Sequence, residues 1–281
     1  MVFSEKRVNS LVADYRPTTA KTETFVSEDI TLVGRCAVPY YKDGNMMPEF
    51  WHVIAPNIIS PGQYRRMDGL TVSLVAVWGN NYFHWVTECL TLLCSLDFDK
   101  ITRILIPRWY EPFVLESLVI LGLADKVVLW DEQKTTVNLY HTSPQRPGGY
   151  PQQSGLENLR RCFNVKGTGS KRIYISRKDA SKRRVVNEQD IIKHLEGFEV
   201  VKLRGMSFRQ QLDYFAEVGE IVAPHGAGIT NLLWTGTKLT ELFGDYHHTC
   251  YAFMALSLDM PYKSVTLKAV GNDMIYRGEA L

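Results

Sequence analysis

The chain has 281 residues, 45% of them hydrophobic, 11% aromatic and 22% charged. That composition excludes intrinsic disorder, collagen and coiled-coil architectures. Lys plus Arg number 32 against 30 Asp plus Glu, a net of +2, which excludes a protein that wraps nucleic acid along its whole surface. A chain of this length is expected to build two cores. The five cysteines (36, 89, 94, 162 and 250) form no CxxC pair and leave one over. They predict a reducing compartment, with neither a disulfide framework nor a structural zinc.

The first residues, MVFSEKRVNSLVADYRP, lack the apolar run of a signal peptide. The longest uncharged run, between Asp68 and Glu88, is interrupted by Gly79, Asn80, Asn81 and His84. It reads as a strand, a turn and a helix start rather than a membrane span. The expectation is a soluble, cytoplasmic protein. Short β-branched pieces, Thr31 to Val38 and Trp51 to Ile59, precede a sharper pattern. Thr71 to Val77 predicts a buried strand, Tyr82 to Leu96 a helix, Ile101 to Ile106 a strand, Pro112 to Leu121 a helix and Lys126 to Trp130 a strand. This order implies a parallel sheet covered by helices. Residues 141–155 hold three Pro and three Gly and read as an interdomain segment.

A second unit follows. Strands are expected at Arg172 to Ser176, Phe198 to Leu203, Glu220 to Ala223 and Lys238 to Phe243, and helices at Glu188 to Leu195, Ser207 to Glu217 and from Ile229. The fold class expected is therefore α/β, with two Rossmann-like doubly wound domains facing a cleft, at 1–150 and 151–281.

The strongest local signal is EIVAPHGAGITN, Glu220 to Asn231. A strand ends at a glycine loop that opens a helix, so backbone can approach a ligand and N–H groups can meet a phosphate or diphosphate. Gly226 and Gly228 are expected to take positive φ there. Asn231 stands where a dinucleotide fingerprint needs its third glycine, and a plain αβ turn remains an alternative. Between Arg160 and Arg184 lie ten basic residues and one acid, a net of +9, while the rest of the chain carries 22 bases and 29 acids, a net of −7. Arg172, Arg177, Arg183 and Arg184 are thus candidates to grip an anion, against the alternative of a solvated basic face. His84 and Glu88, four apart, share a helical face next to a turn. They suit a general base and its orienting partner, or a hydrogen-bonded core histidine. Asp97-Phe98-Asp99 spells a DxD, but at a helix end rather than after a strand, so it reads as surface carboxylates. His247-His248 begins an expected helix without ligand-spaced partners. Neither GxSxG nor Gly-Lys-Ser/Thr occurs, so no esterase nucleophile or Walker loop is present.

As a set, NYFHWVTECLTLL, RIYISRKDASKRRVVNE, FEVVKLRGMSFRQQLDYFAEVGEIVAPHGAGITNLLW and TELF resemble family 61 of the glycosyltransferases, over about residues 70–245. The resemblance implies a GT-B architecture, a donor held mainly by the second domain, inversion at the anomeric carbon and no metal. No cofactor is implied; a UDP-sugar enters as substrate, with UDP-xylose preferred because pentose transfer recurs in the family. The chain resembles most the compact microbial or large-DNA-virus members, chlorovirus xylosyltransferases among them. The family's His-x3-acid pattern falls on His84 and Glu88, with Glu88 first as base and His84 its orienting group or second candidate; Asp68, just before the Thr71 strand, is the next to test if neither serves. Its Arg-rich strand-loop falls on Arg172, Arg177, Arg183, Arg184, Asn187 and Glu188. Its HGAG loop falls on His225, Gly226, Ala227, Gly228 and Asn231. Glu241, on the next strand, is expected on the ribose hydroxyls. The partners implied are a nucleotide-sugar donor and a glycan or glycoprotein acceptor, with no nucleic acid and no membrane span. Two rivals stay open: a non-catalytic anion- or nucleic-acid-binding module on the basic segment, and a metal-dependent GT-A enzyme using Asp97 and Asp99.

Overall fold

The computed structural model describes residues 5–17, 21–47, 59–60, 62–142, 152–167 and 169–281. The chain divides into two compact units, Ala20–Cys162 and Met1–Thr19 with Phe163–Leu281. Both are α/β with parallel strands.

In the unit Ala20–Cys162 the strands are β1 (Thr24–Val33), β2 (Val38–Tyr40), β3 (Arg65–Ser73), β4 (Arg103–Pro107), β5 (Val127–Trp130) and β6 (Thr135–Thr142). They form one sheet in the order β2-β1-β6-β3-β4-β5. The four strands from β6 to β5 are parallel, and β1 runs antiparallel to both β2 and β6. Four of the five residues of β4 are buried, as a central strand covered on both faces requires. Ile30, Leu32, Leu105, Trp130, Val137 and Leu139 pack into one core cluster. The strand expected at Thr71–Val77 starts earlier, at Arg65, and ends at Ser73. The helix expected from Tyr82 is present but not uniform: Tyr82–His84 is α-helical, Trp85–Leu90 π-helical and Thr91–Leu93 α-helical. Thr87 and Thr91 hydroxyls bond back to the carbonyls of Phe83 and Thr87, at 2.8 and 2.6 Å, within this altered stretch. Such bonding competes with the regular backbone ladder. Of the expected interdomain segment, His141 and Thr142 end β6 and Gln153–Gly155 start the helix Gln153–Cys162. Residues 143–151 lie outside the described residues, as does most of Trp51–Ile59.

In the other unit, β7 (Lys171–Ile175), β8 (Glu199–Val201), β9 (Val218–Pro224), β10 (Lys238–Phe243) and β11 (Tyr262–Thr266) are all parallel, in the order β11-β10-β9-β7-β8. Numbered from its first strand this sheet reads 2-1-3-4-5, a doubly wound order whose direction of winding reverses between β7 and β9. A hairpin of β12 (Lys268–Val270) and β13 (Asp273–Ile275) follows. Helix Phe208–Phe215 opens with a reciprocal capping box between Ser207 and Gln210. The N-terminal helix Glu5–Asp14 belongs here because Tyr15 stacks on Phe253 at 4.2 Å and bonds Ser257 at 2.6 Å.

Two helices of this unit depart from expectation. Ala227–Trp234 is a 3-10 helix of 8 residues, not an α-helix. Ile229 N–H donates to Gly226 O at 2.9 Å, and the Asn231 amide donates to Gly228 O at 3.1 Å. Both bonds tighten the turn to three residues. The helix expected to begin at His247-His248 instead runs Cys250–Ser257, after both histidines.

Candidate functional site

At the winding reversal, the C-terminal ends of β7 and β9 flank a cavity of about 230 Å³, lined by Ser176, Arg177, Asp179, Arg204, Gly226 and Gly228 among others. This is where doubly wound sheets hold ligands. The two glycines are there for space rather than for unusual torsion. Gly226 has φ 172, an extended value, and Gly228 is not among the positive-φ glycines, so the expectation of positive φ is corrected. A Cβ on Gly226 would lie 1.9 Å from Arg177 Nη1. One on Gly228 would lie 2.9 Å from Leu203 Cδ1.

Arg177 is half-buried and donates from Nη2 to Lys182 O at 3.2 Å. Arg183, also half-buried, sits at φ 59, its amide bonded to Asn272 O at 2.7 Å and its guanidinium 5.1 Å over the Tyr246 ring. A left-handed Arg persists only where its surroundings over-determine it. Among the described residues neither guanidinium makes an ion pair, and Nε of each is buried without a hydrogen-bond partner. Burial, and then the charge of Arg183, pull the Arg177 pKa below its ordinary value. Asp179 and Asp273 act on Arg177 only at a distance, so two adjacent cations without a contact ion pair leave room for an anion.

Beneath the loop, His225 Nδ1 and Glu241 Oε1 are hydrogen-bonded, and Tyr262 OH donates to Glu241 Oε2 at 2.9 Å. Glu241 is wholly buried, and burial raises its pKa to about 8, with the Tyr262 bond opposing. His225 is held well below its usual value, first by burial and then by Arg183 and Arg177. A protonated Glu241 beside a neutral imidazole keeps this layer uncharged under two cations.

The other expected donor residues are placed elsewhere. Arg172 lies at the opposite end of β7 from Arg177, roughly 16 Å along a strand. There it bonds Glu220 at 2.8 Å and Glu196 O at 3.2 Å, over the Phe198 ring. Arg184 grips Asp273 from its amide and guanidinium at 2.9, 3.0 and 2.5 Å. Asn187 clamps both backbone polar groups of Tyr276. Asn231 is buried, with its amide on Gln211 and Gly228 O, and so braces the loop from within. Glu241 has no exposed surface for ribose hydroxyls. Sequence reading missed Tyr262, Tyr246 and Asn272, since no strand was expected beyond Phe243. The alternation of Tyr262–Thr266 was the available signal. The +9 segment does not form one basic face: Lys171 pairs with Glu217, Arg172 with Glu220 and Arg184 with Asp273.

In the unit Ala20–Cys162, His84 Nδ1 and Glu88 Oε1 are 2.8 Å apart, with side chains 24% and 29% exposed. Asn81 caps the helix start, accepting from Phe83 N–H at 2.9 Å. A carboxylate accepting at this position pairs with the Nδ1–H tautomer, which leaves the Nε2 lone pair free. Asp68 is not brought to this pair. It lies in the irregular first half of β3, 94% exposed beside Arg66, whereas the pair follows the strand's C-terminal end. Asp97 and Asp99 form a local turn: Asp97 accepts from the Asp99 amide at 3.2 Å and pairs with Lys100 at 3.4 Å. No described helix is long and apolar enough to cross a membrane.

A doubly wound sheet with a glycine loop at its reversal defines a Rossmann-like α/β protein. The model of the glycosyltransferase 61 family matches residues 82–241, more than half of the chain, from the helix of His84 to Glu241. The chain belongs to the glycosyltransferase 61 family, and its activity is accordingly the transfer of a sugar from a donor to an acceptor. No curated protein matches it.

Proposed function

We propose that the protein is an inverting, metal-independent glycosyltransferase of the GT-B type. On this reading it moves a sugar, with xylose first among the candidates, from a UDP-sugar to a hydroxyl of a glycan or glycoprotein acceptor. The observation that supports the reading best is the half-buried Arg177 guanidinium beside Gly226 at the reversal point of the sheet, with Arg183 near it and neither in an ion pair. A departing nucleoside diphosphate gains negative charge as the sugar–oxygen bond breaks. Arginine forks in a partly desolvated site can hold that charge without a metal.

The acceptor oxygen attacks the anomeric carbon from the face opposite the diphosphate. The acceptor's proton passes to a base, and the bonding pair leaves with UDP. The His84–Glu88 geometry favours His84 Nε2 as that base and Glu88 as the group that orients it, reversing the order given by resemblance alone.

The test is calorimetry with UDP, GDP and CMP, followed by transfer assays with a panel of UDP-sugars and assignment of the product anomer. UDP should bind, and a saturating ligand at 100 times its Kd should add about 2.7 kcal/mol to stability. Absence of binding by every nucleotide would end this reading. Efficient use of UDP-glucose with none of UDP-xylose would end its xylose part.

A further inference from the structure

The turn between β3 and the His84 helix carries an exposed indole. Trp78 is 61% exposed, more than any other large hydrophobic side chain among the described residues, and Val77 beside it is 45% exposed. Its backbone is held by two successive turn bonds, Gly79 N–H to Ala76 O at 3.1 Å and Asn81 N–H to Trp78 O at 2.8 Å. The indole and the His84 imidazole lie 6.2 Å apart between centroids, tilted by only 31°. Asn80 and Asn81 are exposed on the same turn. A tryptophan left in water forgoes a large burial term, so its place next to the His84–Glu88 pair calls for a ligand.

We propose that Trp78 is a stacking platform for a pyranose ring of the acceptor, and so a specificity-determining residue. The inference rests on the glycosyl-transfer reading above. A pyranose has a face of C–H bonds and a rim of hydroxyls. One indole face bordered by an imidazole, a carboxylate and amides matches that pattern. A protein partner would need a wider apolar patch than Trp78 and Val77 provide. A ring stacked about 3.5–4 Å from the indole lies at van der Waals contact. From there a rim hydroxyl comes within reach of the imidazole 6.2 Å away.

Methyl β-D-xyloside, glucoside and galactoside serve as probes. In the ¹⁵N spectrum of the wild-type protein, the indole N–H signal that disappears in Trp78→Phe should shift on titration with at least one of them. In transfer assays Trp78→Ala should raise the acceptor KM about 10–100-fold, with aromatic stacking on a nucleobase as the guide to magnitude. Trp78→Phe should recover most of the loss, and UDP affinity should stay unchanged in both. An unmoved Trp78 signal with all three probes, or an unchanged acceptor KM in Trp78→Ala, would overturn the platform. Failure of the wild-type protein to bind UDP would count against the donor reading instead, and the titration would still decide on Trp78.

Discussion

Arg177 is packed against the α-carbon of Gly226, so that a methyl group there would meet its guanidinium at 1.9 Å from Nη1 and 2.6 Å from Cζ. The glycine is thus a mould for the arginine, and the loop and the cation form one device. Gly226→Ala should expel the guanidinium and cost one charge-assisted contact, about 1.5–3 kcal/mol of UDP affinity. Gly228→Ala should cost less, since its Cβ meets the end of the flexible Leu203 side chain at 2.9 Å. Calorimetry on both variants checks the order. Equal losses would detach Arg177 from the site.

The four arginines separate into two pairs. Arg177→Ala and Arg183→Ala should each weaken UDP binding by about 1.5–3 kcal/mol. Arg172 and Arg184 are half exposed and already paired with Glu220 and Asp273. Exposed pairs are worth about 0–1 kcal/mol of stability, so alanine at either should lower the melting temperature slightly and leave UDP affinity within about twofold. A strong effect of Arg172→Ala on UDP binding would mean that the ligand reaches the far end of β7.

These differences mark how far the sequence could be read. The strand–glycine loop–helix order of Glu220–Trp234 is legible because an apolar run stops at His225-Gly226-Ala227-Gly228, and burial follows that run. The 3-10 winding is not legible, because it depends on where the Asn231 amide turns. The separation of Arg172 from Arg177 hides in a strand only five residues long, whose two ends look adjacent in sequence. β6 escapes notice because Thr135–Thr142 mixes polar and apolar residues, and its partners β1 and β3 are far away in the chain. The His84–Glu88 bond, by contrast, follows directly from helical spacing.

Stability should fall on the alkaline side of neutrality. In the folded state Glu241, with its pKa near 8, keeps a proton that the unfolded chain gives up near its ordinary value of 4.5. Buried His225 refuses a proton that the unfolded chain binds below 6.5. The folded pair therefore holds one proton from acid to about pH 8. The unfolded pair holds two below 4.5, one between 4.5 and 6.5, and none above. Stability from this pair rises toward pH 4.5, is level to 6.5, and then declines by about 2 kcal/mol through pH 8. Denaturant midpoints measured between pH 5 and 8.5 should trace that decline. Glu241→Gln removes the proton at issue and should flatten the alkaline limb, and an unchanged slope would refute the assignment.

Transfer should continue in excess EDTA. The expectation rests on Arg177 and Arg183 as the groups that meet the diphosphate, and on Asp97 being engaged with the Asp99 amide and Lys100. The double variant Asp97→Ala, Asp99→Ala should keep most of its kcat. Loss of activity with EDTA and recovery with Mn²⁺ would favour the GT-A rival, most clearly if the double variant were also inactive.

The last prediction assigns the base. Glu88 Oε1 accepts from His84 Nδ1 at 2.8 Å, so the carboxylate is occupied in orienting the ring and Nε2 is the basic atom left over. General-base catalysis contributes about 10²–10⁴-fold, and His84→Ala should lower kcat by that factor with UDP affinity unchanged. Glu88→Gln keeps an oxygen that can accept from Nδ1 but removes the charge that steadies the imidazolium. It should lose less, on the order of 10-fold, and the double variant should be scarcely worse than His84→Ala, as residues acting as a unit are not additive. Rate measurements at saturating donor and acceptor would show this ordering. If Glu88→Gln were the more damaging change and His84→Ala retained most of its turnover, the carboxylate would be the base and the histidine its partner.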